Sequence, residues 1–228
     1  MREGSEGNGL IIGGIVLALA GLLFAGLVVV GFIAFGTSSR PPVIKPALPQ
    51  RNSPAPPVPA FDLTDPNQAK IEKVIREELK KPTGELTKSD LEKVRTLYLT
   101  GRQLTDVTGL EKLTRLKTLD LAGNQLTDVK GLEKLDQLET LFLRYNKLTD
   151  VTGLEKLTKL AYLGLEDNQL TDVTGLEKVD QLTDLRLCSN QLTELPKGLE
   201  KLTQLTYLGL VGNQLTSVKG LEKLTQLK

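Results

Sequence analysis

The chain repeats itself. From Leu116 a unit of 22 residues recurs almost unchanged, reading L-x-x-L-x-L-x-x-N-x-L-T-D-V-x-G-L-E-K-L-x-x. Its marker Asn124 returns as Asn146, Asn168 and Asn190 at spacings of 22, then as Asn213 at a spacing of 23. A further unit starts at Val94 with Arg102 at the marker position, which makes six units. A period in this range predicts stacked coils, because one coil is too small to bury its own apolar side chains.

Each position has a physical reading. In Leu119-Asp120-Leu121 the alternation has period two, so both leucines face one way and Asp120 the other. That predicts a short strand. Leu116, Leu126, Val129, Leu132 and Leu135 are expected to point inward from the rest of the coil, into a core that runs through the stack. The Asn after each strand is expected where the chain turns inward. There its amide bonds backbone groups that would otherwise be buried unpaired. Stacking turns these amides into a structural ladder, broken at Arg102. The spacing is that of leucine-rich repeats. The predicted fold is α/β: a right-handed leucine-rich repeat solenoid with a concave parallel β-sheet and an N-terminal helical cap, preceded by a transmembrane helix.

The predicted organisation is an N-terminal tail (1–9), a transmembrane helix (10–35), a proline-rich linker (36–62), a helical cap (63–93) and six repeats (94–228) with an open C-terminal end. Leu10 to Phe35 is 26 residues without a charge, enough to span a bilayer with some tilt. A cleaved signal peptide is the rival reading, with Ala34-Phe35-Gly36 as its cleavage site, although this apolar run is much longer than a signal peptide needs. Gly14, Ala18, Gly21 and Ala25 share one small-residue face, a candidate helix-packing surface. Arg40, Lys45 and Arg51 follow the span and only Arg2 precedes it, so the charge count leans toward a cytoplasmic repeat domain. Eight of the eleven prolines lie between Pro41 and Pro59. Such a segment favours extended polyproline II and reads as a stalk of up to roughly 70 Å at about 3.1 Å per residue. Its P-x-x-P stretches could instead dock a proline-binding partner.

Asp65-Pro66 predicts a helix start. Ile71, Val74, Ile75 and Leu79 follow at helical spacing, and Pro82-Thr83-Gly84 is the expected stop. Thr87 begins a second short helix that turns Leu91 and Val94 inward. At the other end Leu205, Leu210, Leu221 and Leu224 are expected to lack a neighbouring coil on one side, which predicts self-association through that open end.

Repeats of the form L-T-D-V-x-G-L-E-K-L, preceded by I-x-x-V-I-R-E-E-L-K-K-P-T-G-E-L-T-K-S-D-L, resemble internalin-type bacterial leucine-rich repeat proteins over residues 65–228. The resemblance implies a curved solenoid that recognises protein on its concave sheet. It also implies an exported domain, against the charge count, so the side of this single-pass membrane protein stays open. The sequence departs from that family in three ways. It shows no cell-wall sorting signal and no domain after the repeats, and its fifth unit carries an extra residue at Leu195-Pro196-Lys197-Gly198-Leu199.

Several functions are disfavoured. After residue 51 there are 25 Lys and Arg against 26 Asp and Glu, so no basic stripe is available for nucleic acid. The chain has no His, which removes the commonest acid–base group. Asp106, Asp128, Asp150 and Asp172 recur with the template, and a residue copied in every unit serves the unit. The Glu-Lys pairs, such as Glu133-Lys134, read as a solvated face. Cys188 is the only cysteine, so it can form no disulfide within the chain and no cysteine metal cluster. No enzyme, no cofactor and no metal are expected.

Function is therefore expected where the template is broken, around the strands. The repeat-region aromatics Tyr98, Phe142, Tyr145, Tyr162 and Tyr207 all fall in strand windows. The candidate binding face comprises Tyr98, Asp120, Phe142, Arg144, Tyr162, Gly164, Glu166, Asp184, Arg186 and Tyr207. Aromatic residues and Arg are the types that anchor interfaces. Aromatics also favour strands for their own sake. Gly164 is expected to leave a notch between Phe142 and Arg186, with Arg144 and Glu166 paired along its edge. The expected function is a membrane-tethered module that binds a protein partner through its concave face. The alternatives are a structural fragment of a longer array and a carbohydrate-binding surface module.

Overall fold

The computed structural model describes residues 60–228. The expected tail, the transmembrane helix over 10–35 and nearly all of the linker lie outside the described residues. Among the described residues no helix is long and apolar enough to cross a membrane.

Among the described residues the first element is helix α1 (Pro66–Glu78). Asp65 caps it by accepting from the Asn67 backbone N–H at 2.8 Å, and Pro66 fills the first position, where no donor is needed. Ile71, Val74 and Ile75 are buried in the same core as the strands. The helix stops earlier than Pro82 predicts. Its chain turns at Lys80, which takes a left-handed φ of 51° and ends the helix without a proline. Helix α2 (Lys88–Leu91) starts with a capping box between Thr87 and Asp90. Asp90 also takes Lys81 Nζ at 2.7 Å and Lys93 Nζ at 3.1 Å. These bonds, that of Lys81 first, hold its carboxyl well below the usual carboxylate range.

Six strands follow: β1 (Thr96–Tyr98), β2 (Thr118–Asp120), β3 (Thr140–Phe142), β4 (Tyr162–Gly164), β5 (Asp184–Arg186) and β6 (Tyr207–Gly209). They form one parallel sheet in chain order. The register is the repeat itself: Leu97, Leu119, Leu141, Leu163, Leu185 and Leu208 are direct partners across the sheet. The first five of these leucines are buried and their neighbours on each strand face the other way, as period-two alternation requires.

The Asn ladder holds the coils together. Asn146 Oδ1 accepts from Leu126 N–H at 3.1 Å, and its Nδ2 donates to Leu121 and Leu143 carbonyls at 3.0 and 2.9 Å. Two of these three partners belong to the preceding coil, so each Asn bolts its own turn to the one before. Asn124, Asn168, Asn190 and Asn213 repeat the pattern. Arg102, with no full coil before it, is exposed. α1 reaches this coil through Asn67, which bonds the Thr105 backbone and the Asp106 carboxylate.

The return half of each coil is set by its template residues. Asp106 and Asp150 each accept the backbone N–H two residues on, at 2.9 Å, closing a turn. A glycine at positive φ, 104° at Gly131, then leads into a single 3-10 turn, Leu132–Lys134. The Glu of five of the six Glu-Lys pairs is not merely solvated. Glu133 Oε2 accepts the Gly131 N–H at 2.5 Å, and Glu111, Glu155, Glu177 and Glu222 do the same for their glycines. The backbone amides of Glu133 itself and of Gly131 lower the Glu133 pKa.

The last coil is less covered than the others. Leu208, Leu210, Leu215, Leu221 and Leu227 are only partly buried, and Val218 is 62% exposed where Val173 is 2%. Leu205 and Leu224, expected on this open edge, are instead buried at 0% and 4%.

Candidate functional site

The sheet presents two columns of side chains away from the core. One runs Thr96, Thr118, Thr140, Tyr162, Asp184, Tyr207, and the other Tyr98, Asp120, Phe142, Gly164, Arg186, Gly209. Pairing is direct, so neighbours in a column sit about 4.8 Å apart. The first two coils keep Thr in one column and place Tyr98 and Asp120 in the other. Tyr98 is 60% exposed, and Asp120 accepts its own Ala122 N–H at 2.8 Å.

The central and later coils gather the remaining candidates. The Phe142 and Tyr162 rings are 4.8 Å apart and tilted by 47°, a favourable aromatic contact. Arg186 lies between two tyrosines, 5.1 Å from the Tyr162 centroid and 5.0 Å from that of Tyr207. It also donates Nε and Nη2 to Asp184 on the same strand, at 3.0 and 3.2 Å. The carboxylate raises the pKa of Arg186 further above its usual value. Burial pushes the Tyr162 phenol up, an effect that Arg186 opposes and Glu166 reinforces. The result is a pre-formed Tyr–Arg–Tyr stack whose charge is already matched.

The expected notch at Gly164 is filled. A side chain starting there would meet Glu166 Oε2 at 2.9 Å and the Tyr162 ring and hydroxyl at 3.4 Å. The glycine column does not stay empty because neighbouring side chains fold over it. Cys188 does the same over Gly209, with its Sγ 2.9 Å from where a Cβ would stand. The expected Arg144–Glu166 pair is not formed either. Arg144 lies 5.9 Å from the Tyr145 ring instead, and Glu166 Oε2 is buried with no hydrogen-bond partner.

Tyr145 was legible as an aromatic but not as a special one. It lies beyond β3, 58% exposed, with a left-handed φ of 58°. The same rim position is Gly123 and Gly212 in neighbouring units, but Tyr145, Asp167 and Ser189 in the three central ones. The signal was in the repeat: a glycine-favouring position that three units fill with other residues.

Comparison with known proteins fits this geometry. The family described as leucine-rich repeats (2 copies) matches residues 92–134, 136–178 and 180–223. No curated protein matches the chain. Among solved structures, an internalin (inlF) from Listeria monocytogenes is similar at 31% identity over 70% of this chain, with a TM-score of 0.66. The chain spans about half, 47%, of that internalin's length. A leucine-rich repeat protein from Leptospira interrogans is 32% identical over 62% of this chain and 37% of its own, with a TM-score of 0.57. Internalin C2 from Listeria monocytogenes shares the fold at 24% identity, covering 76% of this chain and 97% of its own, with a TM-score of 0.52. Leucine-rich repeat domains generally mediate interactions between proteins and are typically binding modules rather than enzymes. The six repeats and the family match over more than half of the chain make it a leucine-rich repeat protein, similar to the internalins.

Proposed function

We propose that the array binds another protein through the exposed, concave face of its sheet, centred on Tyr162, Arg186 and Tyr207. The observation that carries this reading is the Tyr–Arg–Tyr stack. Large aromatic side chains and an Arg, already ordered against one another, lose little freedom on binding and are the residue types of interface hot spots. The stack stands where the repeat template imposes no residue, so the fold alone does not call for it. The test is photo-crosslinking in cells that make the full chain, with the photoreactive residue at Tyr207 or, as control, at Lys134 in a 3-10 turn. A discrete protein adduct from position 207 and none from 134 is the expected result. Equal adducts from both, or none from 207, sink the proposal.

The proposal includes a tether, residues 10–35, supported by their 26 uncharged residues. The full chain is expected to stay with membranes through a carbonate wash, and a soluble chain starting near Thr37 overturns the tether. α1 and α2 then act as a cap that covers the first coil. The resemblance to internalins favours an extracytoplasmic array and the flanking charges a cytoplasmic one. A cysteine placed at Ser53 in a Cys188→Ala background, labelled from outside intact cells, decides the side.

A further inference from the structure

Most charges on the sheet face are already answered within the chain. Arg186 has Asp184 and two rings. Asp120 has a backbone amide, and Lys117 pairs with Glu139 at 2.6 Å. Glu166 differs from them in having an unpaired atom that is buried. Its Oε2 is shut in and accepts no hydrogen bond, although the residue itself is only half-buried. A buried acceptor left unpaired is destabilising, so a partner that supplies a donor relieves that cost.

The surroundings of Glu166 define the donor. Its Oε2 and the Tyr162 hydroxyl share the space beside Gly164, and the Phe142 ring packs on Tyr162. A carboxylate next to aromatic faces attracts a cation twice, by charge and by the ring quadrupoles. The charge balance agrees. Asp120, Glu166, Asp184 and the rim residue Asp167 outnumber Arg144 and Arg186, so the face is net negative. An acidic partner would meet two guanidiniums, of which Arg186 is already paired with Asp184.

We infer that Glu166 is the receptor for a basic side chain, Arg or Lys, of the protein partner, held against Tyr162 and Phe142. This rests on the sheet-face reading and names the chemistry that face selects. The carboxylate pivots about its own side-chain torsions to meet the donor, and no backbone movement is needed. The absence of a side chain at Gly164 is what lets the carboxylate lie over that position.

The test uses the full chain in detergent micelles with carbon-13-labelled tyrosine rings, at constant ionic strength. The probes are n-butylguanidinium, which mimics an Arg side chain, and butyrate, which mimics an acidic one. The expected result is a saturable shift of the Tyr162 signals with n-butylguanidinium only. Glu166→Gln should weaken that binding about tenfold, the size of one lost charge-assisted hydrogen bond. A saturable response to butyrate instead, no response to either probe, or equal guanidinium binding by Glu166→Gln each overturns the inference. So does binding seen only in Arg144→Gln, because the chain's own Arg144 would then fill the receptor. If position 207 crosslinks a protein while the probe result is negative, the face still binds and only the basic-partner inference falls. If position 207 gives no adduct, the face reading itself fails.

Discussion

Asn146 shows how much one copied residue does. It joins two coils through three backbone groups, all from buried leucines. Asn146→Ala leaves the Leu126 N–H unpaired, while the Leu121 and Leu143 carbonyls keep Asn124 and Asn168, and urea unfolding should show a loss of about 1–3 kcal/mol. Arg102→Asn should change stability by less than about 0.5 kcal/mol, the usual range for a surface substitution, because no preceding coil offers an amide its partners. The marker's role was legible, since a polar residue recurring between buried leucines must answer backbone groups. Tyr145 is the opposite case. A bulky side chain at left-handed φ is disfavoured by about 1–2 kcal/mol, and glycine's extra freedom when unfolded offsets part of the gain on replacing it. Tyr145→Gly should therefore stabilise the fold by about 0.5 kcal/mol in the same measurement. A loss of stability would show that the ring is held by packing and not kept in spite of strain. Sequence gave Tyr145 a strand-like place because nothing in the residue itself announces a positive φ.

At the scale of elements, the strands and α1 were readable and the ends and caps were less so. The strand register follows from the repeat period, and the α1 face from Ile71, Val74 and Ile75 at helical spacing. The stop at Lys80 and the Glu133 bond to Gly131 were not readable. Both depend on where a carbonyl or amide is left unpaired, and residue order does not state that. Helix α2 is four residues long and is pinned through Asp90. Its folded-state pKa is depressed below the ordinary Asp value, so the stability it contributes is full above about pH 4 and is lost as the solution is acidified through the folded value. Asp90→Asn should lower the stability by about 1 kcal/mol near pH 7, the size of a lost cap. The gap between the two chains in thermal unfolding should stay constant from pH 7 to 5 and shrink below pH 4. A gap that widens on acidification would contradict the assignment.

Over the whole array, stability is a sum of coil and neighbour terms rather than one central core. Leu141 lies at 0% exposure between two coils, whereas Leu215 in the last coil is only partly buried. Leu141→Ala should cost about 3 kcal/mol, within the range for a buried leucine, and Leu215→Ala roughly half of that. Hydrogen exchange should likewise be fastest in the last coil and slowest near β3 and β4; uniform protection would mean that the array unfolds as a single unit. The sequence by itself determined the number of coils, their parallel stacking, the core leucines and the Asn ladder. These follow from local periodicity, and each coil needs only a neighbour like itself. It also marked the coils that depart from the template, and so the face on which to look for a site. Only the tertiary structure decided the state of that face. The sequence allowed an open notch at Gly164 and an Arg144–Glu166 pair. The folded chain folds Glu166 over Gly164, turns Arg144 toward Tyr145 and clamps Arg186 between Tyr162 and Tyr207. The physical reason is that side chains from adjacent strands compete for the same few ångströms, and the outcome depends on rotamers and charges meeting across coils 22 or 23 residues apart.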